Sequence, residues 1–131
     1  MPNFRINVKA TTRGPIFNAS TTKSAAKRMI VKINEAVALE GVDMVRARLD
    51  VVLRNPTGYY RSRIAVLRRE VYRGIWDQNV VYGGWLEGVD SRNRTTRFKG
   101  YRTFRRVKQE LDNRMDSIAK PLVAEYVREL S

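Results

Sequence analysis

The chain has 131 residues and a mass of 15.2 kDa, room for one modest core and therefore for a single domain rather than a multidomain enzyme. It carries 26 Lys and Arg against 13 Asp and Glu, a formal +13, with 43% apolar residues, enough for a packed interior that leaves the charge to a folded surface or a partner. The sequence has no Cys and no His, which removes disulfides, thiol nucleophiles, ordinary zinc sites and imidazole acid–base chemistry.

Residues 1–21 read as an N-terminal arm or short strand. Phe4, Ile6 and Val8 alternate with Arg5, Asn7 and Lys9, and Gly14-Pro15 breaks the pattern. A cap among Ser20, Thr21 and Thr22 then opens a long helix expected from about 22 to 53. Its apolar stripe is Ala26, Met29, Ile30, Ile33, Val37, Met44, Val45, Ala47, Val51 and Val52. Gly41 within it marks a bend, a close crossing or a tolerated exposed position, and Asn55-Pro56 ends the helix. A helix of this length exceeds the diameter of the domain and must project, kink or pack on a neighbour.

A turn at Thr57-Gly58 precedes one strand read from Tyr59 to Arg73, dense in Tyr, Ile and Val. Ile75-Trp76 and Val80 to Tyr82 read as two further extended segments joined at Asp77-Gln78-Asn79. Gly83-Gly84 breaks the sheet, and Trp85 to Glu87 suit a single turn. The last helix is expected from about 101 to 130 on Phe104, Val107, Leu111, Met115, Ile118, Leu122, Tyr126 and Leu130, kinked at Pro121. These elements predict an α+β single domain: a long N-terminal helix, a small antiparallel sheet and a long kinked C-terminal helix. The free sheet edge and the overlong helix predict a homo-oligomer.

Residues 88–106 hold seven Lys and Arg against one Asp. Arg92, Arg94, Arg97, Lys99, Arg102, Arg105 and Arg106 can neutralise several phosphates without base recognition, so the basic loop, 88–100, reads as a binding segment entering the last helix. Trp76, Trp85, Tyr60 and Tyr82, with Tyr59 and Tyr72, cluster around the sheet, and one or two of them are expected at a subunit contact. Asp77, Glu87 and Asp90 lack the spacing of a magnesium site, and no glycine-rich phosphate cradle is present, so no cofactor and no catalytic residues are expected. No apolar run approaches the roughly 18 to 20 residues that span a bilayer, and the opening residues do not suit a signal peptide. The expectation is no membrane partner, and synthesis in, or assembly from, a reducing cytoplasm.

The order of these features resembles the head–tail joining or tail-completion proteins of long-tailed bacteriophages. Those proteins typically have Thr-Gly-x-Leu-x-x-Ser-Ile, later Tyr-Ala-x-Tyr-x-Glu-x-Gly, then a variable loop before the C-terminal helix. Here Thr57, Gly58 and Ile64 fit the first stretch, with Tyr60 at the Leu position, and Tyr82, Trp85, Glu87 and Gly88 fit the second. Thr95-Thr96-Arg97-Phe98-Lys99-Gly100 replaces the family's Pro-x-Arg-Pro-Phe. The resemblance covers residues 22 to 130. It implies a non-enzymatic virion protein forming a ring, commonly six-fold, at the neck. Its implied neighbours are a head adaptor or stopper ring and a tail terminator or tail tube protein, with the basic loop facing a neighbouring ring or the genomic DNA. Tyr60, Trp76, Tyr82, Trp85 and Glu87 are then ring or partner interface residues. The alternative is a non-enzymatic basic DNA-binding protein.

Overall fold

The computed structural model describes residues 4–8, 20–53 and 57–129, the side chains of 20–22 excepted. Gly14-Pro15, Asn55-Pro56 and Leu130 lie outside the described residues, as do the side chains of the expected Ser20 to Thr22 cap. The elements in chain order are β1 (Ile6–Val8), α1 (Ser20–Val52), α2 (Tyr59–Arg63), β2 (Ala65–Arg69), β3 (Tyr72–Trp76), α3 (Gly83–Glu87), α4 (Arg92–Thr95) and α5 (Thr103–Glu129). This is the expected α+β architecture, with two long helices and a small antiparallel sheet in the order β1-β3-β2.

α1 and α5 form an antiparallel pair. Lys32 reaches Glu125 at 3.4 Å and Arg114 reaches Glu40 at 3.0 Å, so the start of one helix meets the end of the other. These exposed pairs set register more than they stabilise; the stability comes from Met29, Ile33, Val37, Val45 and Leu49 packed in one core with Phe104, Val107, Leu111 and Tyr126. At about 1.5 Å per residue α1 is roughly 50 Å long, and α5 runs alongside it. The neighbour that α1 requires is therefore inside the chain. Gly41 is a close crossing rather than a bend or an exposed position: a Cβ there would lie 2.2 Å from Ile75 Cδ1 and 2.7 Å from Leu111 Cδ1, where α1, β3 and α5 converge. The buried stripe also takes in Ala25, Ala38 and Val42, whereas Ala47 and Val51 face solvent.

The expected strand from Tyr59 to Arg73 is instead a short helix followed by a hairpin. Gly58 takes a left-handed φ of 84° and starts α2, which swings Tyr60 into the core. Ile64 then turns extended, and Arg46 from α1 donates to its carbonyl at 2.9 Å. β2 and β3 pair antiparallel from Ala65↔Trp76 to Arg69↔Tyr72, with Glu70-Val71 as the turn. Neither residue is a turn former. The turn is held from outside: Asn34 Nδ2 on α1 donates to the Val71 carbonyl at 2.8 Å, and Arg73 donates to the carbonyls of Glu70 and Tyr72 at 2.9 Å each. Glu35, one position along α1, accepts from both Arg68 and Arg73, and Arg68 first, with Arg73, holds its carboxyl below the ordinary value.

β1 joins the sheet on the other side of β3, Ile6 opposite Ile75 and Val8 opposite Arg73. Ile6, Val8 and Ile75 face α1 and are buried. The segment Val80 to Tyr82 is not a strand: Gln78 and Asn79 take left-handed φ of 59° and 60°, and the chain leaves the sheet for α3. α5 starts at Thr103 rather than 101, because Arg102 has a φ of 54°. It runs through Pro121 as one helix, with Pro121 on its exposed side.

Candidate functional site

The basic segment is folded rather than open. Its two stems are hydrogen-bonded, the Tyr101 N–H to the Leu86 carbonyl at 2.7 Å and the Arg102 N–H to the Glu87 carbonyl at 3.2 Å. Gly88 and Gly100 both adopt positive φ, 101° and 91°, which costs a glycine nothing sterically. Their backbones touch, leaving no room for a side chain on either.

Inside the loop, Asn93 is the anchor. It is 3% exposed; its Nδ2 donates to the carbonyls of Trp85 at 3.2 Å and Phe98 at 3.1 Å, and its Oδ1 accepts the Asp90 N–H at 3.0 Å. A buried amide with three partners fixes the path of the chain around it. Trp85, Phe98 and Tyr101 pack in a row, the first pair tilted and the second edge-to-face, each with ring centres 5.0 Å apart, and the Arg92 guanidinium lies 5.4 Å over Trp85. Such a contact is worth about 0.5 to 1 kcal/mol when exposed.

Glu87 ties the loop to α5. Its 7% exposed carboxylate accepts the Phe104 N–H at 2.9 Å and the Arg105 N–H at 3.1 Å, capping a helix whose preceding residue, Arg102, has no side-chain acceptor. Burial pushes its carboxyl above the ordinary value, while the Phe104 and Arg105 N–H donors and the Arg102 charge pull it part of the way back. The second buried acid, Asp77, accepts the Tyr60 hydroxyl at 2.8 Å and the Asn79 N–H at 3.0 Å. Burial first, then Asp77, pushes the Tyr60 hydroxyl far above its usual range, so it remains a donor.

The residues expected at an interface therefore divide. Tyr60 and Glu87 are buried and committed within the chain, Tyr60 to Asp77 and Glu87 to α5, so neither offers a contact surface. Trp85 is half-buried in the loop's aromatic row and Trp76 is half-buried on the sheet. Tyr82 is exposed, and so are Tyr59, Val81 and Val89 around the start of α3, with Val81 at 81%. Tyr82 lies beside Tyr59 and above the Tyr60 ring. Val81 was legible only as a strand former, so its exposure carried no signal.

The basic residues divide as well. Arg92 pairs with Asp90 at 3.1 Å, and that contact holds the Asp90 carboxyl below its ordinary value. Lys99 Nζ donates to the carbonyls of Asn93 at 2.9 Å and Arg94 at 3.2 Å, closing the end of α4. These two cations build the loop. Arg94, Arg97, Arg102, Arg105 and Arg106 are exposed and form no ion pair among the described residues. Asp77, Glu87 and Asp90 each have separate partners, and among the described residues no three potential metal ligands converge. No helix among them is long and apolar enough to cross a membrane.

Chemically, this arrangement displays five guanidinium groups that form no ion pair among the described residues, together with an exposed apolar rim. It suits contact with phosphates or acidic surfaces. In comparisons with family models, with characterised proteins and with solved structures, the chain matches none.

Proposed function

We propose that the chain is a structural, non-enzymatic protein of a bacteriophage neck, forming a six-fold ring that joins the tail to the DNA-filled head and completes tail assembly. The observation that carries this reading is the pinned loop and the start of α5 that it leads into, which display Arg94, Arg97, Arg102, Arg105 and Arg106 with no ion pair among the described residues, on a chain that also exposes Tyr59, Val81, Tyr82 and Val89. A surface of fixed shape, rich in Arg and aromatics, is suited to binding other subunits. The Glu87-Gly88 junction gives physical sense to the sequence resemblance, since one residue caps α5 and the other makes the left-handed turn into the loop.

Six copies of a +13 chain repel one another unless acidic neighbouring rings or the genome offset the charge. Both are available in a neck. The isolated chain would then remain monomeric until it meets its partner. The test is Arg97→Glu with Arg102→Glu, scored by joining of tails to filled heads in an assembly extract and by circular dichroism of the isolated protein. Loss of joining with an unchanged spectrum supports the role. Normal joining, or a map of the particle's neck without density for this chain, refutes it.

A further inference from the structure

β1 is an edge strand, paired with β3 on one side and with no strand on the other among the described residues. The Ile6 carbonyl oxygen points to β3, where it would lie 3.2 Å from a Cβ on Gly74. In an antiparallel ladder a residue turns its N–H and C=O toward the same neighbour, and the next residue turns both the other way. Asn7, opposite Gly74, therefore sends its N–H and its C=O out of the sheet. One free donor and one free acceptor side by side are a template for pairing with another chain. Asn7 itself is exposed.

That edge faces the start of α5 across a trough of about 450 Å³, with Arg5 and Asn7 in one wall and Arg105 and Lys108 in the other. The Phe4 and Phe104 rings meet edge to face, centres 5.0 Å apart, and tie the two walls together. Among the described residues Glu87 is the one acid lining the trough, and both its oxygens already accept N–H groups of α5. Arg5 and Arg105 are exposed and form no ion pair among the described residues. Lys108 has an exposed 3.8 Å contact with Asp112, a pair worth little in water. Ile6 and Val8 are buried on the α1 side of the sheet, the side on which Phe4 meets α5, so Arg5 lies on the other. Successive side chains of a strand laid along β1 would thus meet the α5 cations and Arg5 in alternation.

We propose that the outer edge of β1 captures an extended acidic segment of a partner protein, which adds a strand to the sheet, its backbone on Asn7 and its carboxylates on Arg5, Arg105 and Lys108. Main-chain hydrogen bonds hold a strand added in this way, and its side chains select it. A nucleic acid backbone offers acceptors to the Asn7 N–H but no donor to the Asn7 carbonyl. A second copy of β1 would bring its own Arg5 into the trough, like charge against like. The surface shares only Arg105 with the arginines displayed around the basic loop, and it requires no place in a virion.

The test is anisotropy of a fluorescein-labelled peptide of about six glutamates, the length of an ordinary strand, titrated with the full chain, followed by hydrogen exchange of the complex read by NMR. Binding is expected to slow exchange of the Asn7 amide at least about tenfold. The same peptide methylated on every backbone nitrogen keeps its charge but cannot donate to the Asn7 carbonyl, and it should bind at least about fivefold more weakly. Arg105→Ala with Lys108→Ala should weaken binding about tenfold, whereas Arg94→Ala with Arg97→Ala, which removes the same charge from the loop, should cost less than about threefold. The peptide comparison uses the unaltered chain and decides the matter even where a variant does not fold. Equal affinity for the methylated peptide, equal losses from the two pairs, or binding that leaves the Asn7 amide unprotected reduces the effect to net charge and overturns the proposal, as does an absence of binding. A thymidine strand of equal charge that binds as tightly overturns it in favour of nucleic acid. Asn7 protection that rises with protein concentration in the absence of peptide overturns it in favour of a second copy.

Discussion

Gly100 sits so close to Gly88 that a Cβ on Gly100 would lie 2.2 Å from the Gly88 Cα. The obstacle is backbone, which cannot rotate away as a side chain can, and Gly100 also holds a φ of 91°. Gly100→Ala is therefore expected to cost at least about 2 kcal/mol, through left-handed strain and the opened stem together. Denaturant unfolding checks the size, and loss of amide protection at Tyr101 and Arg102 locates it.

Asn93→Ala removes the loop's internal anchor. It leaves the Trp85 and Phe98 carbonyls and the Asp90 N–H short of a partner, a loss of about 2 to 3 kcal/mol if the loop remains closed. Hydrogen exchange should quicken in residues 89–99 while the α1 and α5 cores remain protected. Uniform loss of protection across the chain would contradict the picture of a loop pinned locally.

The crossing at Gly41 predicts a non-additive pair. Gly41→Ala gains about 1 kcal/mol of helix propensity but overpacks the junction by about 1 to 3 kcal/mol, so the net effect should be destabilising. The nearest atom is Ile75 Cδ1, the methyl that Ile75→Val removes. The double variant is expected to be more stable than the sum of the singles by about 1 kcal/mol, read from denaturation midpoints.

Acid stability should depend on Glu35 and Glu87 in opposite senses. The Glu35 carboxyl is lowered by Arg68 and Arg73, so its stabilisation is present above the ordinary glutamate value and is lost as pH falls through its lowered folded value. The Glu87 carboxyl is raised by burial, so its contribution falls as pH rises from the ordinary value through the raised one, and acidification relieves it. Between about pH 3 and 6, Glu35→Gln should flatten the rise of stability with pH and Glu87→Gln should steepen it. Denaturation midpoints measured across that range decide both.

The long helices and their pairing surfaces were legible because apolar residues spaced by threes and fours over some thirty positions follow the period of a helix and never that of a strand. The hairpin was not. Its turn, Glu70-Val71, has no turn formers, and the groups that hold it, Asn34 and Glu35, lie more than thirty residues earlier on α1. The strand reading of Tyr59 to Arg63 failed because β propensity measures how a side chain packs, and Tyr60 packs from a helix begun at Gly58. At the loop, counting charges found the right segment but could not separate Arg92 and Lys99, which build it, from the arginines it displays. Glu87 was singled out as a contact residue, whereas its acceptors serve backbone donors 17 and 18 positions away.

The pairing of Ile6 with Ile75 also orders events during synthesis. β3 is the middle strand, so β1 has nothing to pair with until the ribosome has added some seventy more residues. At about 5 to 20 residues per second, that leaves Ile6 and Val8 unsheltered for several seconds or longer, while the nascent helix downstream of them is already made. Chaperone capture or premature self-association of the growing chain should therefore begin at its earliest apolar residues, although in the finished protein those same residues are among the best protected.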